Sequence, residues 1–416
     1  MSQLSSDSGN ASFQLDPFAA DFASDPYPTY RLMRENHPVY YHEAWDMWLF
    51  SSFADVFALA TDKRLVRTLE HVMSPQEVAA KRDAEHWAAT PVFSRYVRVN
   101  VIDSEGEMHD RLRSLVSKTF TSARISALRE QIQQLVDARI NVIREMVEFD
   151  FIEGFVAPIP GLIIGQLLGV PEHDCDRLRI WSENIVQFFE QDRTPEDLAL
   201  AEAAATEFSD YLLELAAQRR TEPRDDLISL LVAAETQGAL NRDELISTCI
   251  IILAAGHGST IDVSGNGMLA LLRHPQEMDR LRAEPEHIHT AVQEMFRYES
   301  PLPFFHRFML EDIEFNGQQF PKGTKVGLMY GAANRDPHQF EDPERFDITR
   351  SPNRHIAFGK GAHFCLGNHL ARLDMEIIFT TLIREFSSIE CFTSAQPEYR
   401  LGITSRGLTS LPLAVS

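Results

Sequence analysis

Phe358-Gly359-Lys360-Gly361-Ala362-His363-Phe364-Cys365-Leu366-Gly367 sets one cysteine between glycine-rich turns and the start of an apolar helix. Gly359 and Gly361 can take backbone angles denied to other residues, so 358–365 reads as a loop. Beyond Gly367, Leu370, Leu373, Ile377 and Phe379 recur at helical spacing into the 380s. Cys365 therefore stands where a helix begins. Unpaired backbone N–H groups there favour negative charge, so the thiol is expected to persist as thiolate. Two plainer readings compete. A lone cysteine is most often a small buried hydrophobe. His363, Cys365 and His369 also suggest zinc, but no C-x-x-C knuckle or evident fourth ligand accompanies them.

The full pattern, F-G-x-G-x-H-x-C-x-G followed by Leu370-Ala371-Arg372, resembles the haem-binding loop of the cytochrome P-450 family. A thiolate open on one side is what a haem iron takes as its proximal ligand. Three further segments resemble that family in the expected order. Glu294-Met295-Phe296-Arg297 matches its E-x-x-R helix, where glutamate and arginine at i and i+3 share one face. Ala332-Ala333-Asn334-Arg335-Asp336-Pro337, with Phe340, Asp342-Pro343 and Arg345-Phe346 behind it, matches the meander on the thiolate side. Asp103 through Arg113 matches the helix that reaches the haem propionates. With a weaker match around Gly256, the resemblance spans most of residues 25–416.

The family's oxygen-side helix carries A-G-x-(Asp/Glu)-Thr-Thr, which sets an acid and an alcohol beside the oxygen site. This chain reads Ala255-Gly256-His257-Gly258-Ser259-Thr260. Ala255 and Gly256 keep the small residues that let the helix lie close to the haem. Ser259, with Thr260 next to it, keeps the alcohol. Gly258 keeps nothing of the acid. A glycine there either merely loosens the helix, costing about 1 kcal/mol against alanine, or marks a changed proton relay. Asp262, four residues on and on the same face, and His257 are candidates to substitute through water.

The resemblance also implies that His109, Arg113, Arg307 and His363 hold the haem propionates, with Phe358, Gly359 and Gly367 shaping the cofactor loop. Each of those four is a cation or donor suited to carboxylates in an apolar slot. Candidate pocket walls are the segment 67–100, Phe188-Phe189, Leu253, Leu302, Phe304-Phe305 and the turn Gly402-Ile403-Thr404. They are apolar and often aromatic, in a chain holding 27 Phe, which points to a small hydrophobic substrate. Core packing is the competing role for most of those rings. Arg82, Arg95 and Arg98 are candidate anchors for a substrate carboxylate, against the ordinary fate of solvated surface.

Composition excludes other classes. A net charge of −22 argues against nucleic acid, which rewards basic patches. Residues 1–12 are small and polar, expected to be disordered, and lack the basic-then-apolar pattern of a signal peptide. The longest clean apolar run, Cys249 to Ala255, falls far short of the ~20 residues of a membrane span. Cys175, Cys249, Cys365 and Cys391 are too widely spaced for a disulfide framework. No linker or internal repeat interrupts 13–416, which is expected to be one domain, cytoplasmic and monomeric.

Helical periodicity runs over 112–145, 172–190, 196–219, 225–236 and 242–273, the last capped by Asn241 or Asp243. Residues 38–41 and 47–50 read as a hairpin. Strands are expected near 313–315 and 324–328, with Asn316-Gly317 as the turn between them. The expected fold is mainly α with small β-sheets around a buried haem. The expected activity is a monooxygenase using haem b and O2, with electrons from NAD(P)H through a separate ferredoxin and its reductase. Lys118, Lys360 and Arg372 are candidates for a basic ferredoxin-docking patch on the thiolate side. A peroxide-driven enzyme, favoured by the missing acid, and a non-catalytic haem ligand-binding protein are the alternatives.

Overall fold

A computed structural model describes residues 13–416 except 85–86, 98–99, 147, 190–192 and 393–396. The 1–12 tail and Arg98 lie outside the described residues. Helix dominates, with three small sheets beside it. The helices that build the site are α1 (Gly106–Ser117), α2 (Pro158–Leu168), α3 (Cys175–Gln187), α4 (Arg242–Arg273), α5 (Ile288–Tyr298) and α6 (Asn368–Glu385). α4 is the axis of the core: α2, α3, α5 and α6 all pack against it.

α4 begins where the sequence places it, and Asn241 is its cap. The Asn241 side chain accepts from the Glu244 N–H at 2.9 Å, and the Glu244 carboxylate accepts from the Asn241 N–H at 2.8 Å. That reciprocal pair satisfies two of the helix's orphan donors. The 112–145 periodicity, by contrast, is broken into Gly106–Ser117, Ser122–Ala127 and Arg129–Met146. Thr121 causes one break: its hydroxyl accepts from the Arg124 N–H and starts a new helix.

Among the described residues, two helical stretches are long and apolar enough to cross a membrane, Phe151–Leu168 and Arg242–Arg273. Both serve the core instead, with 67% and 78% of their most apolar windows buried inside the protein.

The largest sheet holds β1 (Val39–His42), β2 (Met47–Phe50), β3 (Leu65–Val66), β4 (Phe305–Met309) and β5 (Lys325–Leu328) in the order β1-β2-β5-β4-β3. The hairpin of β1 and β2 is as read, with Tyr40 opposite Leu49. Asn316-Gly317 does turn a hairpin, but the partner of Ile313–Phe315 is Gln318–Phe320. β5 joins the main sheet, parallel to β2 and antiparallel to β4. A turn signal identifies the bend but not which later segment returns to pair.

Glu294 and Arg297 on α5 form an ion pair with no solvent exposure on either side chain, at 2.7 Å. Arg297 also donates to the carbonyls of Asn334, Pro343 and Arg345 at 2.8–3.1 Å. Glu294 accepts from the Asp347 N–H, Arg350 and Asn353 at 3.0–3.2 Å. One helix turn thus pins a 20-residue irregular segment. Breaking a buried pair by removing one partner typically costs ~3–5 kcal/mol, because the other charge is stranded. Glu294→Ala and Arg297→Ala should each lower stability by about that amount in denaturant titration, and an unchanged midpoint in either variant would overturn this reading.

His257 is completely buried on the back of α4, against α2 at Gly161. Neither ring nitrogen has a hydrogen-bond partner among the described residues; the Ala157 carbonyl lies on one side without closing a bond. Burial, helped by the Arg179 charge, lowers its pKa to about 4. The unfolded chain therefore holds more protons here than the native one between roughly pH 4 and 6.5. Stability from the neutral ring is complete above pH 6.5 and is lost as pH falls through that window. His257→Leu should flatten the fall by on the order of 2 kcal/mol, measured by denaturant midpoints across the window. An unchanged slope would show that the ring does not stay neutral.

Candidate active site

The 358–367 loop is held by its own backbone and by α5. The Cys365 N–H donates to the Phe358 carbonyl at 2.9 Å, and Gly359 and Gly361 both take positive φ. Gly361 is required twice over, because a Cβ there would stand 2.6 Å from the Ala60 carbonyl oxygen. The Phe358 ring packs 4.5 Å from Phe296 of α5, with Arg372 stacked 4.3 Å over its other side. Asn368 donates to the Cys365 carbonyl at 2.8 Å.

The sulfur sits as the sequence suggests, beneath the N–H groups of Gly367 and Asn368 that open α6. Its expected ionisation differs. Burial pushes the Cys365 thiol up, and the two N–H groups with Arg372 and Arg113 pull it back only in part. A helix start cannot offset full desolvation alone; a metal cation at the sulfur inverts that balance.

Above Cys365 opens a cavity of about 1360 Å³, counted out to its mouth. Ala255, Gly256, Ser259 and Thr260 of α4 form the wall that faces the loop residues Phe358, Gly359, His363, Cys365 and Gly367. Gly256 also admits α2, since a Cβ there would lie 2.8 Å from the Ile164 side chain. The Ser259 hydroxyl donates to the Ala255 carbonyl at 2.9 Å, which leaves its lone pairs free to accept. Gly258 is not part of the wall, and a Cβ on it would meet nothing within 4 Å. Two expected relay members are absent from the cavity. His257 points to the opposite side. Asp262 is buried in an ion pair with Arg400, under Gly407, whose Cβ would collide with its carboxylate.

One edge of the slot is lined by Arg67, Arg113, Arg307 and His363. Arg67 pairs with Asp103 at 3.0 Å, and His363 Nε2 lies 3.1 Å from Glu105. The sequence marks Arg67 only as the start of a pocket-wall segment, not as a donor at this edge. His109 lies just behind, its ring 4.6 Å from that of His363. His109 Nε2, His363 Nδ1 and Arg67 Nε are buried without a partner among the described residues. Arg307 makes no ion pair among them, and burial lowers its pKa to about 10. Unpaired buried donors around an apolar slot, opposite a cysteine sulfur, fit a flat macrocycle carrying carboxylates at one edge. Zinc does not fit: no group of three His, Cys, Asp or Glu able to hold a metal exists among the described residues.

The substrate candidates divide. Leu302 and Phe305 line the cavity; Leu253, Phe304, Phe188 and Ile403 do not. Phe188 stacks on Phe93 at 4.0 Å in the core, and Phe304 and Ile403 share a separate cluster with Tyr30. Leu253 is turned into the core, while its neighbours Ile251 and Ile252 face the cavity with Val101, Ile102 and Phe120. Arg82 and Arg95 are engaged by Glu70 and Asp243.

Comparison with known proteins agrees with the geometry. The family model for cytochrome P450 matches residues 185–402. The polyketide biosynthesis cytochrome P450 PksS of Bacillus subtilis is 35% identical over 409 residues, covering 96% of this chain and 98% of that protein. The 6-deoxyerythronolide B hydroxylase of Saccharopolyspora erythraea is 33% identical over 403 residues, covering 94% and 96%. The crystal structure of CalO2 superposes with a TM-score of 0.90 at 30% identity, covering 97% of this chain and 99% of that one. P450BioI, solved with a hexadec-9Z-enoic acid-ligated acyl carrier protein, gives 0.88 at 32%, covering 95% and 99%. With a family model over residues 185–402 and relatives more than 30% identical along nearly its whole length, the chain belongs to the cytochrome P450 family of monooxygenases.

Proposed function

We propose that the Cys365 thiolate would hold the iron of haem b, and that the enzyme inserts one oxygen atom from O2 into a small hydrophobic molecule. The observation that carries this is the placement of the Cys365 sulfur across one slot from Ala255 and Gly256. The haem, when bound, supplies oxygen activation, favoured by electron density from the thiolate. Arg67, His109, Arg113, Arg307 and His363 would hold its propionates by charge-assisted hydrogen bonds. Ile251, Ile252, Leu302 and Phe305 would orient the substrate and exclude water from around it. Ser259 would accept a proton at its oxygen and pass its own hydrogen inward, releasing its bond to Ala255. An extended, largely apolar substrate agrees with the polyketide and acyl-chain names among the relatives. Electrons would come from a separate ferredoxin and its NAD(P)H-dependent reductase. Lys118 is exposed and Lys360 lies over the Phe364 ring, both available to such a partner, whereas Arg372 is tied to Asn368 and Gln293. A peroxide-driven reaction is the second reading, favoured by the missing acid at Gly258.

Cys365→Ser should leave the fold but remove the red-shifted Soret band of the reduced carbonyl complex, which reports thiolate ligation. Retention of that band would end the assignment. Cys175, Cys249 and Cys391 should be replaceable without this loss. Ser259→Ala should lower product formed per NAD(P)H consumed, by up to the ~10²–10⁴-fold that positioned proton transfer is worth. Hydrogen peroxide-driven turnover should change far less, since peroxide arrives carrying its protons. Unaltered coupling in Ser259→Ala would remove the hydroxyl from the relay.

A further inference from the structure

Gln293 stands one residue before Glu294 on α5 and neither lines the cavity nor joins the buried ion pair. Its side-chain oxygen faces two donors from the cysteine side of the protein. Arg372 Nε of α6 lies 3.2 Å away and His355 Nε2 3.1 Å. His355 Nδ1 accepts from the Ala357 N–H at 3.3 Å, which leaves Nε2 as the donor. Two donors at one oxygen fix the amide's orientation, because a turned amide would set its own N–H groups against both.

The contacts continue to Cys365 without a gap. Arg372 Nη1 donates to the Asn368 side-chain oxygen at 2.5 Å and to the Asn368 carbonyl at 3.1 Å. The Asn368 side chain donates in turn to the Cys365 carbonyl at 2.8 Å. On its other side the guanidinium lies 4.3 Å over the Phe358 ring, and the Phe358 carbonyl accepts from the Cys365 N–H. Arg372 is thus bound to both residues that hold the cysteine's backbone. Its hydrogen-bond partners are all uncharged. Glu376, the carboxylate one turn along α6, is taken by Arg129 at 3.4 Å and His289 at 2.7 Å. His355 adds no charge, since burial lowers its pKa to about 3. Asn368 belongs to Arg372's own helix, so Gln293 is the hydrogen bond that ties the guanidinium to a different one. The Arg372 side chain is half-buried, and without that tie it can turn toward water.

We propose that Gln293 is a positioning residue for electron uptake: it holds Arg372 beside Cys365 without neutralising it, and so raises the reduction potential of the bound haem iron. A fixed positive charge near the sulfur favours the reduced iron, which carries one electron more. The charge is felt at the sulfur, where Arg372 helps pull down the Cys365 thiol. The role rests on the reading of Cys365 as the iron's ligand given above.

The test is dithionite titration of the holoprotein with mediator dyes, following the Soret band to obtain the reduction potential. Gln293→Leu removes the acceptor and adds no charge; Arg372→Gln removes the charge itself. Each should shift the one-electron equilibrium toward the oxidised iron by about threefold or more, about 28 mV at ~59 mV per tenfold. The double variant should shift no further than Arg372→Gln does, because Gln293 acts through the guanidinium. Gln293→Asn, whose amide is one carbon short of both donors, is the milder variant and decides the matter if Gln293→Leu does not fold. It should shift the potential in the same direction, and not at all in the Arg372→Gln background. An unmoved potential in these Gln293 variants would overturn the proposal. A shift that persists once Arg372 is gone would also overturn it, marking a disturbance of the loop by another route. Failure of the haem-thiolate reading would appear separately, as a red-shifted Soret band of the reduced carbonyl complex surviving in Cys365→Ser.

Discussion

The Glu294–Arg297 pair is the constraint on which the site depends. Two opposite charges out of water are tolerated when every remaining donor and lone pair is satisfied. Here the satisfying groups are mostly backbone atoms of 334–347, a segment with little regular structure to hold itself. The pair therefore does for that segment what a ladder does for a strand. The hold passes on through Asn334, whose side chain donates to Ser300 and accepts from the Ile356 N–H, both at 2.8 Å. Ile356 leads directly into the loop that carries Cys365. The sulfur's position is thus set from a buried charge pair two segments away.

α4 shows how one helix is shared between a core and a reactive surface. Its cavity face carries Ile252, Ala255, Gly256 and Ser259, spaced by three and four. Its back carries His257 and Ile261 in tight packing. Between them lie Gly258, where a Cβ would meet nothing within 4 Å, and Asp262, buried in its ion pair with Arg400 under Gly407.

The helical spans, the capping of α4 and the cysteine loop were legible because each is encoded locally, in periodicity, a cap or glycine spacing. The helix's rotation about its own axis was not. Leu253 and Ile252 are adjacent and equally apolar, and which one meets the cavity depends on how α2 and α3 press on α4. Phe188 and Phe304 failed for the same reason: an aromatic residue fits a core and a pocket equally well. Arg67 was missed as a donor because nothing near it in sequence announces a carboxylate; its place at the slot comes from β3 pairing with β4, far along the chain. Asp262 was read correctly as sharing a face with Gly258, but Arg400, 138 residues on, occupies that face first.

The cations around Cys365 are held differently from most others in this chain of net charge −22. Most arginines elsewhere sit against carboxylates, as Arg111 does with Glu244 and Arg219 with Asp226. For Arg113, Arg372 and Lys360 around the thiolate loop the partners are neutral. Arg113 donates to the Phe364 carbonyl, Arg372 to Asn368 and Gln293, and Lys360 lies over the Phe364 ring. A hydrogen bond to a carbonyl, an amide or a ring fixes a cation without cancelling its charge. The field of Arg113 and Arg372 is therefore directed inward, where both pull down the Cys365 thiol.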